Sequence, residues 1–131
     1  LRRVKDWLRQ SEAALSQAKD SLKGNHFWSS CFFSHQAAEY AAKALLESKG
    51  VEMKGHSVFE LLEEARRLGL DVGEDLFRKA RNLDRHYLQA RYINTFNVGA
   101  PVDYYTKEDA ERALQEAEKI VEYCKKEAGN P

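Results

Sequence analysis

The sequence predicts an all-α protein of about five helices, on three observations. Apolar residues recur at steps of three and four along most of the chain, proline is nearly absent, and glycines fall between the periodic stretches. The prolines are Pro101 and Pro131, whereas Gly24, Gly50, Gly55, Gly69, Gly73 and Gly99 punctuate the pattern. No strand pattern and no internal repeat is legible.

Val4, Leu8, Ser11, Leu15, Ala18 and Leu22 line one side of a first helix, widened by Trp7 and Ala14. A second helix is expected from an N-cap at Asn25 to about Ser48, with Gly50 stopping it. Its apolar positions, from Trp28, Cys31, Phe32 and Phe33 to Leu45 and Leu46, cover most of the circumference. That coverage implies burial on more than one side, and so a central helix that also contacts a second copy. Ser57-Val58-Phe59-Glu60 has capping-box spacing and opens a third helix ending near Leu68-Gly69. Leu76, Ala80, Leu83 and Tyr87 mark a fourth from about Glu74 to Gln89. Arg91 to Tyr105, with Asn94, Asn97, Gly99 and Pro101, has no sustained period and reads as an ordered or partly mobile loop, rich in aromatics for a linker. Thr106-Lys107-Glu108-Asp109 repeats the capping-box pattern, and Ala110, Leu114, Ala117, Val121 and Cys124 carry the last helix.

A chain of 131 residues with 43% hydrophobic and 11% aromatic content fills one core, so one helical domain over 1–131 is expected. Lys plus Arg (21) balance Asp plus Glu (21), which removes bulk electrostatic capture of nucleic acid or membrane and leaves only a local patch. Cys31 and Cys124 form no C-x-x-C pair, so neither a zinc knuckle nor a secreted disulfide framework is indicated. No apolar run approaches the roughly 20 residues of a bilayer span, and Leu1-Arg2-Arg3-Val4-Lys5-Asp6 lacks a following signal core. A cytoplasmic location without membrane contact is expected, as is a beginning inside a longer sequence, since Leu1 stands where an initiator Met would.

The phosphate-binding glycine loops, the zinc-protease helix motif and the serine-hydrolase elbow are all missing. His26, near a helix start, reads as a surface or capping residue, and His56 as a turn residue before the Ser57 cap. Cys31, His35 and Glu39 share a helix face that suits a metal. A buried His bonded to a neighbouring Glu beside a small apolar Cys is the simpler account, and no metal or cofactor is expected. Positive charge concentrates from 78 to 91, where Arg78, Lys79, Arg81, Arg85 and Arg91 face only Asp84, a net of +4. Guanidinium groups take phosphate bidentately, and Tyr87, Tyr92 or Phe96 could stack on a base. Equally open is a solvated face whose arginines pair with the last helix, which from 103 to 127 holds eight acids against five bases.

An ordered set of motifs resembles the HEPN domain family over nearly the whole length. It comprises Phe33-Ser34-His35-Gln36-Ala37-Ala38-Glu39 with Lys43 and Leu45, then His56-Ser57. Leu83-Asp84-Arg85-His86-Tyr87 with Arg91-Tyr92 and Tyr105-Thr106-Lys107-Glu108-Asp109-Ala110 follow. The resemblance implies an up-and-down bundle with a four-helix core that commonly dimerises. It also implies one of two functions. In the first, the chain is a nucleotide- or RNA-associated module of a toxin–antitoxin pair, partnering a minimal nucleotidyltransferase. In the second, it is a metal-independent endoribonuclease toxin, for which Arg81, Asn82 and His86 fit the family's Arg–polar–spacer–His pattern. Such a nuclease needs a base, an acid and positive charge on the transition state. His86 would be base or acid and Arg81 the stabiliser, with Arg85, Tyr87, Arg91 and Tyr92 around them. Five residues apart on a helix, Arg81 and His86 point about 140° apart, so only two copies in a dimer would juxtapose them. A non-catalytic dimeric scaffold is the third reading.

Overall fold

A computed structural model describes residues 3–129. Leu1, Arg2 and Pro131, which entered the reading above, lie outside the described residues. The chain forms α1 (Val4–Lys23), α2 (Phe27–Ser48), α3 (Val58–Arg67), α4 (Glu74–Asp84) and a one-turn α5 (His86–Gln89). A 3-10 turn at Ile93–Thr95, a one-turn α6 (Pro101–Tyr104) and α7 (Lys107–Ala128) follow. There is no strand among the described residues. No helix there is long and apolar enough to cross a membrane.

Cross-helix bonds set the directions. Arg3 N donates to Glu47 Oε1 at 2.8 Å, Ser11 Oγ to Ala37 O at 2.7 Å and Ser30 Oγ to Ala18 O at 2.8 Å. One position rises as the other falls, so α1 and α2 are antiparallel. Lys19 pairs with Glu118 and Lys125 with Glu12, which makes α7 antiparallel to α1 as well. α2 is the central helix: Ala37, Ala38, Ala41, Ala42 and Ala44 are at most 1% exposed. Such short side chains let neighbours approach closely, while Leu45, Leu46, Leu61, Leu62, Leu83 and Ile120 supply the bulk. The expected burial on several sides is thus met within one chain, by α1 and α7.

Helix ends follow local chemistry with two departures. Gly50 (φ 83°) and Gly69 (φ 98°) stop α2 and α3 in left-handed backbone. Val51 N reaches back to Leu46 O at 2.9 Å and Leu70 N to Ala65 O at 3.1 Å. The first departure is at Asn25, which is not the cap of α2. It takes φ 62° to reverse the chain, a conformation Asn tolerates, and the cap position falls to His26, whose side chain makes no capping bond. The second is the fourth helix, whose hydrogen-bonding pattern breaks at Arg85. Arg85 keeps helical angles (φ −59°, ψ −32°), so α5 continues the course of α4. The aperiodic segment 91–105 is ordered locally by Phe96 stacked on Tyr104, with centroids 4.1 Å apart, yet it leaves Ile93, Val98 and Val102 exposed.

Candidate functional site

The arginine strip is anchored by a residue that the sequence offered only as a counter-charge. Asp84 Oδ1 accepts from Val58 N at 2.7 Å and contacts His35 Nε2 at 3.1 Å. Its Oδ2 accepts from Phe59 N at 3.1 Å and Ser57 Oγ at 2.9 Å. Amides in the first turn of a helix lack intrahelical acceptors, and a carboxylate also suits the positive end of the helix dipole. Asp84 therefore ties α4 to the start of α3 and to α2 together. This corrects the expected capping box: Ser57 Oγ accepts from Glu60 N at 3.1 Å as predicted, but the acid that serves the first turn is Asp84, from another helix. An anion already sits at that helix end, so a ligand phosphate must be met elsewhere.

Arg81, Asn82 and Arg85 line an open groove of about 670 Å³ with Ser57 and Phe59, and the acids Glu60, Glu63 and the anchoring Asp84 line it too. Arg81 lays its guanidinium over Phe59, Cζ to centroid 3.9 Å. Arg81, Arg85 and Arg91 form no ion pair among the described residues, whereas Arg78 and Lys79 both pair with Asp75 on their own helix. Pairing with the last helix is made instead by Asn82, whose Nδ2 donates to Glu116 Oε2 at 2.7 Å, a carboxylate that also meets Arg112 at 3.5 Å. Arg81, Arg85 and Arg91 are thus exposed without pairing to the last helix.

His86 turns away from the groove. It is 7% exposed, and its Nδ1 lies 2.8 Å from the Tyr105 hydroxyl. Burial, reinforced by the Arg85 charge, pulls its pKa down to about 4, so the ring is neutral near pH 7. Burial also raises the Tyr105 hydroxyl, which keeps that partner protonated. Within one chain Arg81 faces α3 while His86 faces α7, as their angular separation on the helix requires.

Tyr87 and Arg91 occupy the opposite flank. His56 stacks on Tyr87 (4.5 Å, 16°), and Arg91 Cζ lies 4.3 Å from the Phe32 ring and 5.3 Å from the Tyr87 ring. Tyr92 is 47% exposed. Sequence reading missed the part played by His56 and misassigned the partner of His35, which bonds Asp84 across the helices rather than Glu39. Glu39 instead meets His56 Nδ1 at 3.2 Å and Lys43 Nζ at 2.9 Å. The Glu39–Lys43 pair has i,i+4 spacing and was visible in principle; the two histidine contacts join positions far apart in the chain. No group of three or more His, Cys, Asp or Glu among the described residues could hold a metal, and burial pushes the Cys31 thiol up to about 12.

The fold and this strip define a class: a small helical bundle with unpaired arginines on one helix and a histidine five residues after the first of them. The HEPN domain model matches residues 4–127, and the chain belongs to that family. It is similar to candidate toxin MJ1304 of Methanocaldococcus jannaschii, 32% identical over 130 residues that cover 93% of this chain and 86% of the relative. The crystal structure of TT1696 from Thermus thermophilus is similar at a TM-score of 0.89 and 35% identity, covering 97% of this chain and 99% of the other. That of ST0689, an archaeal HEPN homologue, is similar at 0.83 and 34%, covering 98% and 100%.

Proposed function

We propose that this chain is the toxin-like HEPN component of a toxin–antitoxin pair, a cytoplasmic homodimer that binds nucleotide or RNA and works with a separately encoded minimal nucleotidyltransferase. The observation that carries the reading is the placement of Arg81 and Arg85, without ion pairs, in an open groove of a chain whose net charge is zero. Guanidinium groups left without carboxylate partners favour phosphate, and Phe59 holds Arg81 in place for it. Tyr87, Arg91 and Tyr92 add a second polar surface on the opposite flank. Similarity to a candidate toxin supports the biological setting.

The test is fluorescence anisotropy with a labelled single-stranded RNA, beside growth of cells in which the chain is induced. Arg81→Ala with Arg85→Ala is expected to weaken RNA binding at least about tenfold, each lost charge-assisted bond being worth about 1.5–3 kcal/mol. Induction is expected to arrest growth, and a co-expressed minimal nucleotidyltransferase to relieve the arrest. RNA affinity indifferent to both substitutions would instead support a scaffold.

A second reading is metal-independent RNA cleavage by Arg81, Asn82 and His86 contributed across a dimer: His86 is neutral near pH 7, as a general base must be, though a pKa lowered to about 4 makes it a weak one. Its burial and its bond to Tyr105 rank binding first. RNA cleavage in EDTA that is lost in both His86→Ala and Arg81→Ala reverses that order.

A further inference from the structure

On the flank of α4 and α5 away from α7, several groups that the arginine groove does not use gather about the ring of Tyr87. His56 stacks on it, Arg91 sits between it and Phe32, and His35 lies at 5.7 Å. Behind His56, the Glu39 carboxylate is 5% exposed, meets His56 Nδ1 through both oxygens at 3.2 Å and accepts from Lys43 Nζ. Asp84, the other acid of the cluster, is occupied by His35, Ser57 and two backbone amides.

Both acids are therefore saturated by internal donors, and two cationic or protonatable groups are not. Arg91 has no carboxylate within ion-pair distance among the described residues. Its Cζ lies over the Phe32 and Tyr87 rings, and a guanidinium has five N–H donors to offer an anion. For His56, the contact with Glu39 makes Nδ1 the protonated nitrogen, so Nε2 remains for a ligand on a side chain that is 54% exposed. An imidazole that carries both protons presents Nε2–H to an anion while its Nδ1–H stays on the carboxylate. Lys43, 12% exposed, adds positive charge behind the pair.

We propose that His56 and Arg91 form a phosphate-binding site aligned on Tyr87, with Glu39 and Lys43 as positioning residues. Its ligand is a phosphate group, carried either by a free nucleotide or by an RNA backbone. The proposal rests on the nucleotide or RNA reading above and adds a second point of attachment to it. Arg81 lies over Phe59 and Arg91 over Phe32 and Tyr87, on opposite flanks, so the two guanidinium groups serve separate points of attachment. A mononucleotide occupies the His56–Arg91 site alone, while an RNA strand engages both that site and the groove.

The experiment is NMR titration of the isotope-labelled chain with AMP and, separately, with a short single-stranded oligoribonucleotide. It is run on the wild type, His56→Gln, Arg91→Ala and the Arg81→Ala/Arg85→Ala double variant. The His56 ring and Arg91 Nε signals are expected to shift on titration. His56→Gln and Arg91→Ala are each expected to weaken binding about tenfold or more while melting like the wild type. A response to AMP assigns a nucleotide, and a response to the oligoribonucleotide alone assigns the RNA backbone. Binding that survives in both of these variants and fails only in the double variant overturns this site and leaves the broader reading standing. A folded wild type that binds neither ligand overturns both.

Discussion

At the scale of single residues, Asp84 has the widest reach. One side chain serves two amides of α3, the Ser57 hydroxyl and His35, so its loss strands several partly buried donors at once. Leaving such donors unmet costs more than the bonds themselves contribute. Asp84→Ala is expected to lower unfolding free energy by about 2–4 kcal/mol in urea titration, and Asp84→Asn, which keeps an acceptor oxygen, by less. His86 makes a prediction in pH. Its folded pKa, about 4, lies below the ordinary value of 6.5, so between these limits the unfolded chain binds the extra proton. The neutral ring is fully accommodated above pH 6.5, and stability is lost as pH falls from 6.5 towards 4. The loss amounts to about 2 kcal/mol by pH 5. A His86→Gln variant, compared with the wild type at pH 7 and pH 5, should show less of this decline; an equal decline would remove His86 as its source.

At the scale of elements, α7 illustrates a cap carried wholly by neighbours in sequence. Thr106 Oγ1 accepts from Asp109 N at 3.2 Å and Asp109 Oδ2 accepts from Thr106 N at 2.9 Å. Thr106→Ala is expected to cost about 1 kcal/mol and to speed amide exchange in the first turn of α7, with the far end unaffected. The box at α3 was half legible for the complementary reason. Ser57 acts locally, but the acid that completes it comes from α4, and a spacing rule sees only the nearby Glu60. At α2 the rule chose between adjacent candidates and took Asn25, whose left-handed backbone belongs to the turn. The break at Arg85 was illegible because the residue keeps helical angles.

For the whole molecule, the buried periodic residues of the helices form one contiguous apolar cluster centred on α2. The exposed apolar residues concentrate elsewhere, with Leu88, Tyr92, Ile93, Val98, Val102 and Tyr104 each at least 47% exposed. An apolar set of this kind is the natural seat for the second copy proposed above. Sedimentation at micromolar concentration is expected to give a dimer, and Ile93→Asp with Val98→Asp a folded monomer; a wild-type monomer would remove the composite nuclease site. The five longer helices, the central place of α2, the cap of α7 and the concentration of arginine from 78 to 91 were readable along the chain, whereas the one-turn α5 and the one-turn α6 inside the expected loop were not. The readable features depend on periodicity and on contacts between residues three or four apart, which a linear pattern records. Tertiary packing settled which charges stay unpaired, that His86 faces α7 and Tyr105, and that His56 meets Glu39 and Tyr87. Those outcomes depend on which helix lies beside which, and residues tens of positions apart carry no periodic mark of their meeting.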